Sequence, residues 1–156
     1  MDETLPSEFW QAVEQFNQRQ FYACHDTLEA LWIEAMAPEK MFYQGFLQIA
    51  VALYHLENRN WRGSVILLGE GISRLQTYQP IYAGIHVEQF LIDTAFLLKR
   101  LQQAGAENLA TILQQLSDPL ELSPDENQIG RSNLRFPSIK QSPPSSLSRE
   151  LITDSM

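Results

Sequence analysis

Gln44, Gln48, Val51 and His55 are separated by four, three and four residues. On a helix, at 100° per residue, the three polar ones fall within about 40° of one another. Two amides and an imidazole therefore form a polar stripe on a segment otherwise made of Met41, Phe42, Phe46, Leu47, Ile49, Ala50 and Leu53. His25, Glu29 and Trp32 repeat the four-and-three spacing one segment earlier. Polar groups on apolar faces cost a few kcal/mol each unless they are hydrogen-bonded, so the stripes need a compensating interaction or a use. Three kinds of chemistry fit. One is a closed hydrogen-bond network, since Gln and His each donate and accept. The second is a divalent metal held by His25, Glu29 and His55, with ligands one helical turn apart. The third is an acid–base pair of Glu29 with His25 or His55. The network is the preferred reading, because a His and a Glu four apart recur in helices by chance. Asp26 and Cys24 lie about 100° to either side of His25 and join only if the helix is rotated. Cys24 reads as a small core residue.

The elements that position these residues are helices. The second segment runs from about Gln20 to Met36 and the third from about Pro38 to Glu57, joined by a few residues around Pro38. So short a connection makes them antiparallel neighbours. Counting back from it puts Trp32 near Gln44, Glu29 near Gln48, and His25 between Gln48 and His55, so that the two stripes face each other. Ser7, before Glu8, Phe9 and Trp10, is the expected N-cap of a first helix to about Gln18. A fourth helix carries Trp61, Val65, Leu68, Ile72 and Leu75 at helical spacing. A fifth, over about 86–103, carries Phe90, Leu91, Thr94, Leu98 and Leu101. A short sixth carries Leu109, Ile112, Leu113 and Leu116. Gly63, Gly69 and Gly71 in the fourth helix predict close helix contact, since glycine there costs up to about 1 kcal/mol against alanine. No phosphate-loop pattern accompanies them, and no alternating run is long enough for a sheet. The fold class is all-α: a compact bundle of about six helices built from antiparallel hairpins.

One internal echo stands out. Asn17-Gln18-Arg19-Gln20-Phe21 returns forty residues later as Glu57-Asn58-Arg59-Asn60-Trp61. Helix-pair repeats of the tetratricopeptide kind have a period near this.

Composition divides the chain into 1–117 and 118–156. The second part holds Pro119, Pro124, Pro137, Pro143 and Pro144, five of the eight prolines, and is serine-rich. With few large apolar residues it reads as a disordered tail, in which Arg131, Arg135, Phe136 and Lys140 are either a short docking motif or simply solvated. A net charge of −8 with only 11 scattered Lys and Arg argues against nucleic acid and against an anionic membrane surface. The single cysteine excludes an internal disulfide and fits a reducing compartment. The start MDETLPSEFW does not read as a signal peptide, and the run from Phe46 to Leu53 is too short to span a bilayer. A cytoplasmic location is expected.

Three separated motifs then carry a resemblance: His25-Asp26-Thr27-Leu28-Glu29-Ala30-Leu31-Trp32; Gln44-Gly45-Phe46-Leu47-Gln48 continuing to Tyr54-His55; and Asn60-Trp61-Arg62-Gly63-Ser64. In order and spacing they resemble the domain of unknown function 309 family over about residues 8–100. Arg59 stands where that family usually has Gly, and Ser64 where it has Ala. The resemblance implies a small all-helical protein of bacterial, archaeal or plastid type, with a tail particular to cyanobacterial members. It also implies that His25, Asp26, Glu29, Trp32, Gln44, Gln48 and His55 act as a set, and it brings no reaction. The expected function is a non-enzymatic helical structural or binding module with a homodimer or protein partner and no cofactor. The alternatives are a metal-dependent hydrolase using His25, Glu29 and His55, and a helical-repeat adaptor.

Overall fold

The computed structural model describes residues 5–117 and 134–141. Six helices carry the fold: α1 Ser7–Asn17, α2 Phe21–Glu34, α3 Glu39–Glu57, α4 Trp61–Leu75, α5 Val87–Ala104 and α6 Leu109–Ser117. Ser7 is the first helical residue and not the cap; Pro6 occupies that place, with no side-chain hydrogen bond. The expectation of no sheet is corrected by a minimal hairpin of β1 Ile81–Tyr82 and β2 Ile85–His86, paired Ile81 to His86 and Tyr82 to Ile85. Its turn uses Ala83 and Gly84, both at positive φ, so two-residue strands form where no alternating pattern could announce them.

α3 is the centre of the bundle. Phe42, Phe46, Ile49, Ala50, Ala52, Leu53 and Leu56 along it are fully shut off from solvent. Such burial requires neighbours on more than one side, and α3 packs on α4 and on α2. Phe46 carries the aromatic core in both directions, 6.0 Å from Phe9 of α1 and 5.0 Å from Phe90 of α5 between ring centroids.

α3 and α4 approach closely at two glycines. A Cβ on Gly71 would lie 2.9 Å from the Gly45 carbonyl oxygen and 2.5 Å from Ile49 Cγ1; one on Gly45 would lie 2.6 Å from Leu75 Cγ. The expected close contact therefore holds at Gly71. It does not hold at Gly69, where a Cβ meets nothing within 4 Å.

The forty-residue echo is a repeated turn. Arg19 and Arg59 both sit at φ 64°. Gln20 N–H donates to the Gln15 carbonyl at 2.8 Å and Arg19 N–H to Phe16 at 2.9 Å; Asn60 and Arg59 repeat these bonds to His55 and Leu56 at 2.8 and 3.0 Å. Each pair closes its helix through a left-handed residue, so α1–α2 and α3–α4 are hairpins built on one turn.

Residues 134–141 correct the expectation of a wholly disordered tail. Leu134 and Ile139 are buried. Asn17 donates Nδ2 to the Ile139 carbonyl at 2.9 Å and accepts its N–H at 2.7 Å. Phe136 lies 5.4 Å from Phe21, with the Arg19 guanidinium 4.6 Å above its ring. The His86 N–H donates to the Lys140 carbonyl at 2.9 Å, and Gln141 bridges Ile85. A few apolar side chains suffice once α1, α5 and the hairpin supply a groove, a condition that average composition does not reveal. Phe136 and the Lys140 backbone of the supposed docking motif thus dock on their own chain, while the Arg135 side chain is exposed. Arg131 and the remainder of 118–156 lie outside the described residues.

Candidate functional site

The polar residues read from the sequence separate into three groups. The first is on α2. His25 Nδ1 is 3.2 Å from Asp26 Oδ1, and Nε2 is 3.5 Å from Glu29 Oε1. One ligand atom from each of the three lies within 4.8 Å of the others. The His25 side chain is 27% exposed, against 61% for Asp26 and 46% for Glu29, so the carboxylates remain hydrated while the ring rests on the bundle. Nδ1 is enclosed and makes no hydrogen bond among the described residues; the Asp26 oxygen stands off the line of the N–H. The two ring nitrogens address different carboxylates. A cation on Nε2 would therefore be held by His25 and Glu29, with Asp26 beside the other ring nitrogen but not hydrogen-bonded to it.

The trio that assembles is thus His25, Asp26 and Glu29, and not the expected His25, Glu29 and His55. Tyr22 and Tyr54 link the two histidines: ring centroids run 5.6 Å from His25 to Tyr22, 5.3 Å on to Tyr54, and 6.3 Å to His55. The Tyr22–Tyr54 contact pairs the start of α2 with the end of α3, as antiparallel neighbours do. The rotation of α3 about its axis is not the one expected. Gln48 donates Nε2 to Glu70 Oε1 at 3.0 Å and accepts from Arg74 Nε at 2.9 Å. Both ends of its amide are satisfied by α4, whose Glu70 and Arg74 are one turn apart, so it is not turned to Glu29. Gln44 is half-buried one turn earlier on the same stripe.

His55 belongs to the α3–α4 turn. Its Nδ1 is 3.5 Å from Asn60 Nδ2, while Asn60 Oδ1 caps α4 by accepting from Gly63 N–H at 2.9 Å. The amide nitrogen can only donate, which makes Nδ1 the acceptor in that long contact. Trp32 ends α2 against Lys40, whose ammonium lies 4.9 Å over the indole and donates to the Trp32 carbonyl at 2.6 Å. A cation there complements the exposed carbonyls of a helix end. Trp32 Nε1 has no hydrogen-bond partner among the described residues. Cys24 is fully buried, and burial pushes its thiol up to about 12, which keeps it protonated and unreactive.

Sequence reading missed a cleft of about 710 Å³ between α1, α2 and the start of α3. Buried Leu5 and Tyr43 and half-buried Leu31 and Ala35 form its apolar part, and Glu8, Glu34 and Glu39 its carboxylates. Among the described residues no lining residue is basic, and none is His or Cys. The negative field reaches the floor. Burial raises the Tyr43 phenol above its usual value, and Glu39 and Glu8 raise it further. Tyr82 donates to Glu39 Oε2 at 3.1 Å. Burial first, then the hydrogen bond to Glu39, push it up to about 12. Glu34 and Glu39 flank the α2–α3 loop, but Glu8 is distant in sequence and only folding brings it beside them, so no local motif could have flagged the three together.

Residues 9–67, which contain all three motifs read above, match the family described as Domain of unknown function (DUF309). This is a shorter span than the motifs suggested, and it ends within α4. The chain is similar to the uncharacterized protein YpuF of Bacillus subtilis (strain 168), 34% identical over 101 residues that cover 64% of this chain and 55% of the relative. The match thus spans about half the length of that curated relative. No solved structure matches the chain. Among the described residues no helix is long and apolar enough to cross a membrane.

Proposed function

We propose that the chain is a non-enzymatic helical binding module that receives a protein partner in the cleft between α1, α2 and the start of α3. The observation that carries this is the cleft's make-up: apolar surface and carboxylates, with no imidazole or thiol beside them among the described residues. Thr27, a hydroxyl on its wall, is held by Gln15 Oε1 at 2.8 Å, which suits a wall better than a nucleophile. The repeated α1–α2 and α3–α4 hairpins support the same reading, since stacked helix pairs present grooves to partners. The test is selection of binders from a random peptide library against the full chain, followed by amide-shift mapping. Selected peptides are expected to perturb Leu31, Glu34, Ala35 and Tyr43 and to lose binding to Ala30→Trp, which fills the cleft from an exposed position. Binders that map to His25 and Glu29 instead, or that ignore Ala30→Trp, would refute the proposal.

A second reading rests on the His25, Asp26 and Glu29 grouping: a divalent-metal site serving a hydrolase-like reaction. One nitrogen and one or two carboxylates leave coordination positions open. Elemental analysis of untagged protein beside His25→Ala separates the two. About one equivalent of metal in the native chain, absent from the variant, would favour the metal site.

A further inference from the structure

We infer that the occupant of the cleft is a cationic peptide segment, with an apolar side chain seated on the floor and Lys or Arg residues on either side. This rests on the cleft being the binding face and adds the chemistry of what it takes. The carboxylates come from three elements: Glu8 from the first turn of α1, Glu34 from the end of α2, and Glu39 from the first turn of α3. Glu8 and Glu39 sit at helix N-termini, where an acidic side chain is favoured locally. Glu34 does not. It lies at the C-terminal end of α2, where the helix dipole opposes a negative charge, and an arriving cation relieves that conflict.

Among the described residues none of the three carboxylates has an ion-pair partner. The basic residue next in the chain, Lys40, is occupied with the Trp32 carbonyl and ring. Beside this charge lies an apolar floor for an anchor, and Met36, 78% exposed at the mouth, offers a side chain that can adapt to one. A net charge of −8 attracts the same partners from a distance. Charge alone would suit a free polyamine; the floor selects a segment that also carries an apolar residue.

The probe is a capped peptide with a central leucine flanked by arginines, titrated into the full chain by fluorescence anisotropy, with amide-shift mapping of the site. Controls replace the arginines by glutamine, or the leucine by glycine, and spermidine serves as a bare cation. The arginine peptide is expected to perturb Leu31, Ala35 and Tyr43. Its affinity is expected to fall about tenfold in Glu8→Gln/Glu34→Gln and again at raised salt. Glu8 and Glu34 are exposed, so the variant should melt with the native chain. Equal binding of the glutamine peptide, or spermidine binding as tightly as the peptide, overturns the inference while leaving the cleft as the site. An arginine peptide that fails to bind, while library-selected peptides still map to the cleft, does the same. Arginine-peptide binding that is unchanged by Ala30→Trp overturns the cleft as well.

Discussion

At the scale of single residues, adjacency along the chain says little about shared chemistry. Cys24 precedes His25 and Asp26, yet the 100° step between neighbours sends the thiol into the core and the imidazole and carboxylate outward. The buried thiol makes an alkaline prediction. Folded Cys24 keeps its proton until about pH 12, whereas an unfolded chain releases it near 8.5. Between those values the unfolded state binds fewer protons, so stability falls as pH rises, by about 1.4 kcal/mol per unit at most. Tyr82, also held protonated to about 12, adds to the fall above pH 10. Urea unfolding from pH 7 upward should be flat at first and decline beyond about pH 9, and Cys24→Ala should remove most of the first decline. An unchanged profile in that variant would contradict the buried thiol. His25 and Glu29 were legible in the sequence as a pair one turn apart on one helix, whereas spacing set Asp26 aside and only the family resemblance included it. Gln48 and His55 were misplaced because their partners, Glu70 and Arg74 for the one and Asn60 for the other, lie on α4 and the turn before it, which no spacing within α2 and α3 encodes.

At the scale of elements, two glycines two positions apart on α4 have opposite roles. Gly71 faces the Gly45 carbonyl at a distance no Cβ tolerates, while Gly69 faces open space. Gly71→Ala should therefore destabilise by about 1–3 kcal/mol through overpacking against backbone. Gly69→Ala should stabilise by up to about 1 kcal/mol through helix propensity alone. Melting temperatures of the pair, measured together, decide this: equal shifts of the same sign would contradict the packing of α3 on α4. The repeated turn makes a second prediction. A non-glycine residue in the left-handed region costs about 1 kcal/mol or more, and Arg59 occupies it without any side-chain bond among the described residues. Arg59→Gly should raise stability by roughly 0.5–1 kcal/mol in urea unfolding. Arg19→Gly should not, because Arg19 also stacks on Phe136 and approaches the Leu116 carbonyl at 3.5 Å. The helices and this turn were visible from apolar periodicity and from the echo of Arg19 in Arg59. The β1–β2 hairpin was not, because two-residue strands carry no period.

At the scale of the whole molecule, the chain closes on itself. Residues 134–141 lie across α1 and the end of the hairpin, tying Asn17 to Ile139 and extending β2 through Lys140 and Gln141. The composition of this region, rich in proline and serine, described its average and hid Leu134 and Ile139, whose burial needs a groove that exists only after the helices pack. Docking is held in two ways, by apolar burial and by the paired bonds of Asn17, and these respond differently to mutation. Removing the Asn17 side chain leaves the Ile139 N–H and carbonyl without partners, at a cost of about 1–3 kcal/mol if they stay buried. If the segment instead lifts away, the loss stops at whatever docking contributes, and the helices remain folded around Phe46. The second course is the expected one, since the central contacts of Phe46 with Phe9 and Phe90 are made without this segment, whose Phe136 reaches them only through Phe21. Asn17→Ala and a chain ending at Ser117 should then show the same urea stability. In both, the His86 amide, which donates to Lys140, should lose hydrogen-exchange protection while amides in the middle of α3 keep theirs. A chain ending at Ser117 that loses cooperative unfolding altogether would make the segment part of the core and not a strap laid over it.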